Sequence, residues 1–235
     1  MFSSENISQR ISNTSTPVLF IDTCVFFDIL RSPFRESIHI NAISSALNLM
    51  KLSESNPNGV WLLTSETVKD EWNDNIENVK KELENEIKKQ ERIRKDLLTT
   101  ANVILKIDHS HGQEMTILNL HGHLENLSRN FLNYCLVIKQ EDSHSIKAMH
   151  RVQKCLAPAK KGKPEPKDCL VLEAFLDVSE KLRNLDYNQE IYFITSNSND
   201  YGSPDKSLII DDLNKVNATL LNTLSWAFSK VEISK

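Results

Sequence analysis

Residues 18–23 read VLFIDT, four consecutive apolar residues followed by an aspartate and a threonine. An uninterrupted apolar run of this length is typical of a strand buried on both faces of a parallel sheet. Asp22 and Thr23 are residue types that cap helices, and a largely apolar segment from Cys24 to Leu30 follows them. The stretch therefore predicts a buried strand that passes directly into a helix.

The same arrangement recurs along the chain. The run VWLL at 60–63 ends at Thr64 and Ser65, and the run IYFI at 191–194 ends at a polar loop, TSNSNDYG. A shorter strand is expected near 218–222, before a closing helix. Because strands alternate with helices, the sequence predicts the α/β class with an open parallel sheet.

The segment between the second and third predicted strands is long and helical. A charged helix begins after Ser65, and its apolar stripe is interpreted as core packing, with a coiled-coil dimer seam as the alternative. A second helix is predicted at roughly 124–156. We expect one domain over residues 1–235, with an inserted helical hairpin at about 75–157 that could clamp a substrate, mediate dimerisation or dock a partner.

Composition excludes several classes of protein. The 235 residues carry a net charge of -4 and include only 5 glycines, and neither GxxxxGK[ST] nor GxGxxG occurs, which argues against a glycine-rich phosphate loop. No apolar run is long enough to span a bilayer, and the polar start lacks the layout of a signal peptide. The four cysteines form no CxxC pair. We therefore expect a cytoplasmic protein with free thiols.

Acidic and amide side chains follow the predicted strands. Asp22 follows the first strand, Glu71 lies about two turns into the helix after the second, Asp168 begins a helix, and Asn197 and Asp200 follow the third strand. The carboxyl ends of parallel strands share one edge of a sheet, so these side chains are expected to converge. Converging carboxylates repel one another unless a cation lies among them. Mg²⁺ or Mn²⁺ suits such oxygen ligands.

A divalent ion at this edge would suit phosphodiester hydrolysis, because it activates water and stabilises the leaving oxygen. Glu71 or Asp200 could orient the attacking water. Taken singly, each acid also has a structural interpretation: a helix cap for Asp22 and Asp168, a solvated charge for Glu71 and a turn residue for Asp200. The occurrence of all four acids at one predicted edge of the sheet favours a metal site over these separate structural roles.

Four segments carry a family resemblance. VLFIDTCVFFDIL, LLTSETVKDEW, KPEPKDCLVLEAFL and IYFITSNSNDYG resemble, in order, the four acidic blocks of the PIN domain. The match covers the predicted sheet core. It implies a PIN-like, Rossmann-like three-layer α/β sandwich. It also implies a metal-dependent nuclease that acts most often on single-stranded or structured RNA, as in bacterial toxin–antitoxin pairs and RNA-processing factors.

The resemblance assigns roles to individual positions. Asp22, Glu71 and Asp168 match the family's acidic positions, and Thr195 matches a loop threonine that would hold an acid or a substrate phosphate. The fourth position departs, because Asn197 replaces an acid and Asp200 lies further along, as in a T-x-N-x-x-D branch. The implied metal ligands are Asp22, Glu71, Asp168, Asn197 and Asp200, and the implied catalytic residues are the four acids among them.

A basic segment precedes Asp168. Residues 147–167 contain seven lysines and arginines against Glu165 alone, a local charge of +6. A solubilising loop is one interpretation. The other is a cationic strip for RNA phosphates, because such a strip beside a phosphodiester-cleaving centre is what backbone binding requires. The substrate-binding candidates are Lys160, Lys161, Lys163 and Lys167.

Four histidines lie near the interhelical break, at His109, His111, His121 and His123. A zinc site is chemically sensible there, but H-x-H pairs in polar loops are usually solvated, which is the default interpretation. The leading hypothesis is a Mg²⁺- or Mn²⁺-dependent endoribonuclease. The alternative is a catalytically weak PIN-like module that binds RNA or a protein. An antitoxin-like partner or a homodimer is possible.

Overall fold

The computed structural model describes residues 1–35, 40–55, 59–110 and 112–233. Within these ranges, five parallel strands form one sheet. They are β1 (Val18–Ile21), β2 (Trp61–Ser65), β3 (Leu136–Ile138), β4 (Ile191–Ile194) and β7 (Thr219–Leu221), in the spatial order β3-β2-β1-β4-β7. The two-residue strands β5 (Gly202–Ser203) and β6 (Lys206–Ser207) form a separate antiparallel pair. The predicted α/β fold with a parallel sheet is confirmed.

The central strand explains why the apolar run decides the fold. All four residues of β1 are buried, and Val18 lies opposite Trp61 of β2 on one side and Ile191 of β4 on the other. The chain proceeds from β1 outward through β2 to β3 and then returns to the other side of β1 as β4. Such a reversal opens a crevice at the carboxyl ends of the strands.

Helices cover both faces of the sheet. The general right-handedness of crossovers predicts that the helices between β1, β2 and β3 lie on one face and those between β3 and β4 on the other, because the chain runs in opposite directions across the sheet. The helices are α1 (Ser4–Ser12), α2 (Thr23–Arg31), α3 (Asn41–Glu54), α4 (Glu66–Leu105), α5 (Leu120–Tyr134), α6 (Asp142–Lys154), α7 (Pro166–Asn184), α8 (Ser198–Tyr201), α9 (Ile210–Lys215) and α10 (Leu224–Ile233), with a 3₁₀ turn at Met115–Leu118. Helix α2 packs against α4 and α5, whereas α7 packs against α1 and α6.

The predicted helix at 124–156 is wrong. It is divided into α5, the edge strand β3 and α6, and within the predicted insertion α4 and α5 pack as a helical pair whose buried residues join the main core. Strand β3 has only three residues, which is too few to interrupt an apolar pattern visibly. A capping box between Glu141 and His144 marks the new helix start. Residues 136–154 therefore belong to the sheet and its covering layer.

The stripe of α4 divides into a buried and an exposed part. Trp72, Ile76, Val79 and Leu83 are buried, so this part is core and the dimer-seam interpretation is wrong for it. The Trp72 indole donates to Ser128 Oγ at 3.0 Å, which in turn donates to the carbonyl of Phe26 at 2.9 Å. Beyond Glu91, Leu97 and residues 103–105 are exposed. A helix of 40 residues spans about 60 Å, so its distal end extends beyond the core.

The polar start of the chain contains a helix that was not predicted from the sequence. It forms α1, capped by the Ser3 side chain, with Ile7 and Ile11 one turn apart and buried. This helix packs against α7. No helix among the described residues is long and apolar enough to cross a membrane.

Candidate active site

Asp22 lies directly after β1 and is the N-cap of α2. Its Oδ1 accepts a hydrogen bond from the Thr23 backbone N–H at 2.7 Å. Its Oδ2 accepts from Thr195 Oγ1 at 2.6 Å and from Cys24 Sγ at 3.1 Å. Burial raises the pKa of Asp22 and the Glu71 charge adds to the effect, although these hydrogen bonds oppose it. Three neighbouring donors therefore fix an acid that is only 4% exposed.

Glu71 is held next to Asp22 by a shared neighbour. Helix α4 begins directly after β2, where Ser65 Oγ accepts from the backbone N–H of Val68, and this places Glu71 in the second turn. Thr23 Oγ1 donates to Glu71 Oε2 at 2.6 Å. Because the backbone N–H of Thr23 bonds Asp22 and its hydroxyl bonds Glu71, one residue orients both carboxylates.

Asp168 lies in the first turn of α7 and faces the same two acids. Its Oδ2 accepts from Asn197 Nδ2 at 3.3 Å. Burial raises the pKa of Asp168 to about 8, and the charges of Asp22, Glu165, Glu71 and Asp200 add to the effect. Among the described residues, no lysine or arginine forms an ion pair with it. The negative charge of ionised Asp168 is thus not balanced by a cationic side chain of the described residues.

A cavity of about 450 Å³ brings these acids together. Asp22, Glu71, Asp168 and Asn197 line it, and Thr23 and Cys24 form part of its wall. The one arginine in this lining, Arg31, is paired with Glu82 at 3.4 Å. Four of the five side chains predicted as metal ligands therefore share one cavity.

The fifth predicted ligand, Asp200, lies beside this cavity and not in its lining. It is 3% exposed, and Asn197 Nδ2 links it to Asp168 by donating to its Oδ2 at 3.1 Å. Lys163 Nζ lies 2.9 and 2.7 Å from its two oxygens, and Lys160 Nζ lies 3.2 Å from Oδ1. Burial alone would raise the pKa of Asp200, but hydrogen bonds from Lys163, Asn197 and Lys160 outweigh it and lower the pKa.

The predicted basic strip is only partly a free surface. All four candidate lysines are exposed, but Lys160 and Lys163 are bonded to Asp200, whereas Lys161 and Lys167 form no ion pair among the described residues. Arg151 is buried, and its guanidinium contacts Glu173 and, at 2.8 Å, Asp212. It lines a larger cleft of about 730 Å³ between α6, α7 and α9, where it pairs with two of the acids in the lining. We place the candidate site in the smaller cavity, because three acids from separate elements, Asp22, Glu71 and Asp168, converge there and none of them has a cationic partner among the described residues.

Three residues of the site were not predicted. Thr23 and Cys24 directly follow Asp22, so their proximity to that acid was the available signal. Glu165 lies three residues before Asp168, and ligand oxygens of Glu165, Asp168 and Asp200 all lie within 4.8 Å of one another. Its place depends on a left-handed backbone at Glu165, with a φ of 39°, which the sequence does not reveal.

The histidine group shows no metal geometry in the described chain. Two groups of three potential ligands lie within 4.8 Å of one another there, and neither contains His109, His121 or His123; Asp22 and Glu71 share the cavity with Asp168 but do not belong to a group this tight either. His111 lies outside the described residues. The backbone of His109 is instead bonded to the side chain of Asn102.

The donor set of the cavity fits a hard divalent cation, since it consists of carboxylate and amide oxygens, which Mg²⁺ and Mn²⁺ prefer. Comparison with curated proteins and with solved structures gives no match. A family model described as a PIN domain matches residues 19–201, from β1 through α8. This range includes every acid of the cavity and covers more than half of the chain. The chain therefore belongs to the PIN-domain family.

Proposed function

We propose that this PIN domain is a metal-dependent endoribonuclease that hydrolyses RNA phosphodiester bonds in the acidic cavity. PIN domains are generally nucleases and typically use divalent metals. The observation that carries the proposal is that Asp22, Glu71 and Asp168 share one cavity and that no cationic side chain in the described part of the chain pairs with them. Such an arrangement opposes folding unless a cation binds, so its presence favours a functional role.

Asp22, Glu71 and Asp168, with Asn197, are the proposed ligands of Mg²⁺ or Mn²⁺. Among the described residues, no donor bonds Glu71 Oε1 or Asp168 Oδ1, so these two acids each keep an acceptor oxygen for a ligand, while Oδ1 of Asp22 has a single donor. A bound divalent ion would supply Lewis acidity toward the phosphodiester and the attacking water. Thr23 and Thr195 hold the carboxylates in place through the hydrogen bonds described above.

Glu71 is better placed than Asp200 to orient the attacking water. Glu71 lines the cavity and keeps one oxygen without a donor, whereas both oxygens of Asp200 are bonded to lysines or to Asn197. We therefore assign the water-orienting role to Glu71. Asp200 contributes to the centre by holding Asn197 and Lys163.

RNA phosphates are the proposed ligands of the exposed lysines. Lys161 lies in the turn before α7, and Lys167 lies in the first turn of α7. Both are exposed, so their ammonium groups are available to a polyanion. An antitoxin-like partner or a homodimer, for which the exposed apolar end of α4 is a candidate surface, stays a prediction. Size-exclusion chromatography with light scattering tests the homodimer directly, and a monomeric mass would exclude it.

The function is tested by cleavage of a labelled single-stranded RNA and of a DNA of the same sequence, with Mn²⁺, with Mg²⁺ and with chelator. We expect RNA cleavage that requires the metal and falls by more than about 100-fold in Asp22→Asn, since even residues that only support a metal ligand are worth 10–100-fold. Asp177→Asn, which changes a paired acid on α7 outside the cavity, is the control and should cleave normally when folded.

Equal cleavage by wild type and Asp22→Asn would exclude the catalytic assignment. Metal-independent cleavage would do the same. RNA binding without cleavage under any metal condition would instead favour the catalytically weak binding module.

A further inference from the structure

The ammonium of Lys163 lies between two carboxylates at the side of the acidic cavity. It is 2.7 and 2.9 Å from the oxygens of Asp200 and 2.7 Å from Glu165 Oε1. Glu165, Asp168 and Asp200 form a group of oxygens close enough to share one cation. A cation of the protein itself therefore already pairs with two of these three acids, Glu165 and Asp200.

The hydrogen bonds of Asp200 leave no acceptor position open. A carboxylate offers about four lone-pair sites, two on each oxygen. Lys160 and Lys163 donate to Oδ1, and Lys163 and Asn197 donate to Oδ2. A metal ion could bind Asp200 only by displacing one of these donors.

A tight turn holds the two lysines in this position. The backbone N–H of Lys160 donates to the carbonyl of Lys163 at 2.9 Å, and the reverse bond is also 2.9 Å. Gly162 within the turn has a φ of +80°, which glycine adopts without steric cost. In such a pair the two opposed side chains project to the same side, so Lys160 and Lys163 reach Asp200 together, while Lys161 at the tip does not.

The acids of the centre are thus divided by how their charge is balanced. Asp200 and Glu165 are paired with lysine, whereas Asp22, Glu71 and Asp168 have no such partner in the described chain. We infer that Lys163 is a built-in cation on the Asp200 side of the centre, so that the centre takes one divalent ion, at Asp22, Glu71 and Asp168, instead of two. The inference rests on the proposed metal-dependent function and specifies its ion count.

The test is the number of Mn²⁺ ions bound per chain, measured by isothermal titration and by the electron paramagnetic resonance signal of free Mn²⁺. Wild type should bind one ion with high affinity. Lys163→Met removes the ammonium at similar length and should bind a second ion at least about ten-fold more tightly than wild type does. Lys163→Gln repeats the neutral change with a polar side chain.

Two matched variants control for general effects. Lys163→Arg keeps the positive charge and should still bind one ion. Lys161→Met removes a lysine from the tip of the same turn, where it forms no bond to Asp200, and should also bind one. Two ions on wild type, or one ion on both neutral Lys163 variants, would overturn the inference while leaving the nuclease proposal in place. No ion on wild type would overturn both.

Discussion

Two of the four acids on helix α7, Asp168 and Asp177, are both partly buried and yet have opposite electrostatic surroundings. Asp168 faces other acids and its pKa is raised to about 8, chiefly by burial. Burial would also raise the pKa of Asp177, but hydrogen bonds from His144, Lys181 and Ser4 outweigh it and hold the pKa well below its usual range. The same helix thus presents one acid without a counter-charge and one acid fully supplied with donors.

The surroundings of Asp177 explain the difference. Lys181 lies 2.7 Å from Asp177 Oδ2, and Ser4 of α1 donates to the same oxygen. His144 Nδ1 accepts from the Glu141 backbone N–H, so its Nε2 carries the proton that it donates to Asp177 at 3.2 Å. Glu141, His144 and Asp177 could ligate a metal by distance alone, but Lys181 already pairs with Asp177, and Ser4 donates to Glu141. This cluster ties α1, α6 and α7 together and is structural.

The comparison teaches that the proximity of acids does not by itself indicate a metal site. What separates the two clusters is whether the protein supplies the compensating charge. Where it does, as at Asp177, the acids stabilise packing. Where it does not, as at Asp168, the folded state carries a repulsion that a ligand can relieve.

The largest expected effect is on the free energy of unfolding at pH 7.5 without divalent ions. There Asp168→Asn should raise it, and Asp177→Asn should lower it. Unfolded aspartate ionises near 3.8, whereas Asp168 in the folded chain ionises near 8. Between these values the folded state holds the extra proton, so stability falls as pH rises. Asp168→Asn should therefore raise the free energy of unfolding by about 1–3 kcal/mol, after allowance for partial exposure.

Asp177→Asn should lower the free energy of unfolding by about 1–3 kcal/mol, because it weakens a charged hydrogen-bond network. The stability that ionised Asp177 contributes is fully present above the unfolded pKa of 3.8. It is lost as the pH falls toward the lower pKa of the folded state. Urea unfolding at pH 7.5 and pH 4 measures both variants. The distinction between the clusters fails if both substitutions change stability in the same direction at pH 7.5.

A smaller effect is expected on the salt dependence of RNA binding. The lysines of residues 160–167 also divide into those paired with acids and those without an ion pair among the described residues. In an Asp22→Asn background that prevents cleavage, Lys161→Ala and Lys167→Ala should each reduce the slope of log affinity for single-stranded RNA against log salt by about 0.7. Lys163→Ala should reduce it less, since that ammonium is already bonded to Asp200 and Glu165. Binding titrations between low and moderate salt measure the slope. Unchanged slopes in Lys161→Ala and Lys167→Ala would favour the interpretation of this segment as a solubilising loop.

Much of the sheet was predictable because its central strands are short apolar runs between polar turns. The runs at β1, β2 and β4 have no helical alternative of sufficient length, and their succession along the chain implies a shared carboxyl edge. That edge is why Asp22, Glu71 and Asp168 were expected to converge. Strand β3 was missed, because an edge strand of three residues does not disturb the apolar periodicity around it.

The balance of charge could not be predicted from the sequence. Lys163 and Lys161 are two residues apart and chemically alike, and only the turn at Gly162 decides which of them reaches Asp200. Arg151 was counted as part of a cationic strip, but helix packing buries it against Glu173 and Asp212. Pairing of this kind depends on contacts distant in sequence, which residue types and spacing do not specify.

The most direct measurement is the change in Tm on addition of saturating Mn²⁺ at pH 7.5, compared for wild type, Asp168→Asn and Asp177→Asn. A ligand at one hundred times its Kd stabilises by about 2.7 kcal/mol, which corresponds to about 5–10 °C for a chain of this size. Wild type and Asp177→Asn should show this rise, and Asp168→Asn should not. An equal rise in Asp168→Asn, or no rise in wild type, would contradict the assignment of the unpaired acids as the divalent-cation site.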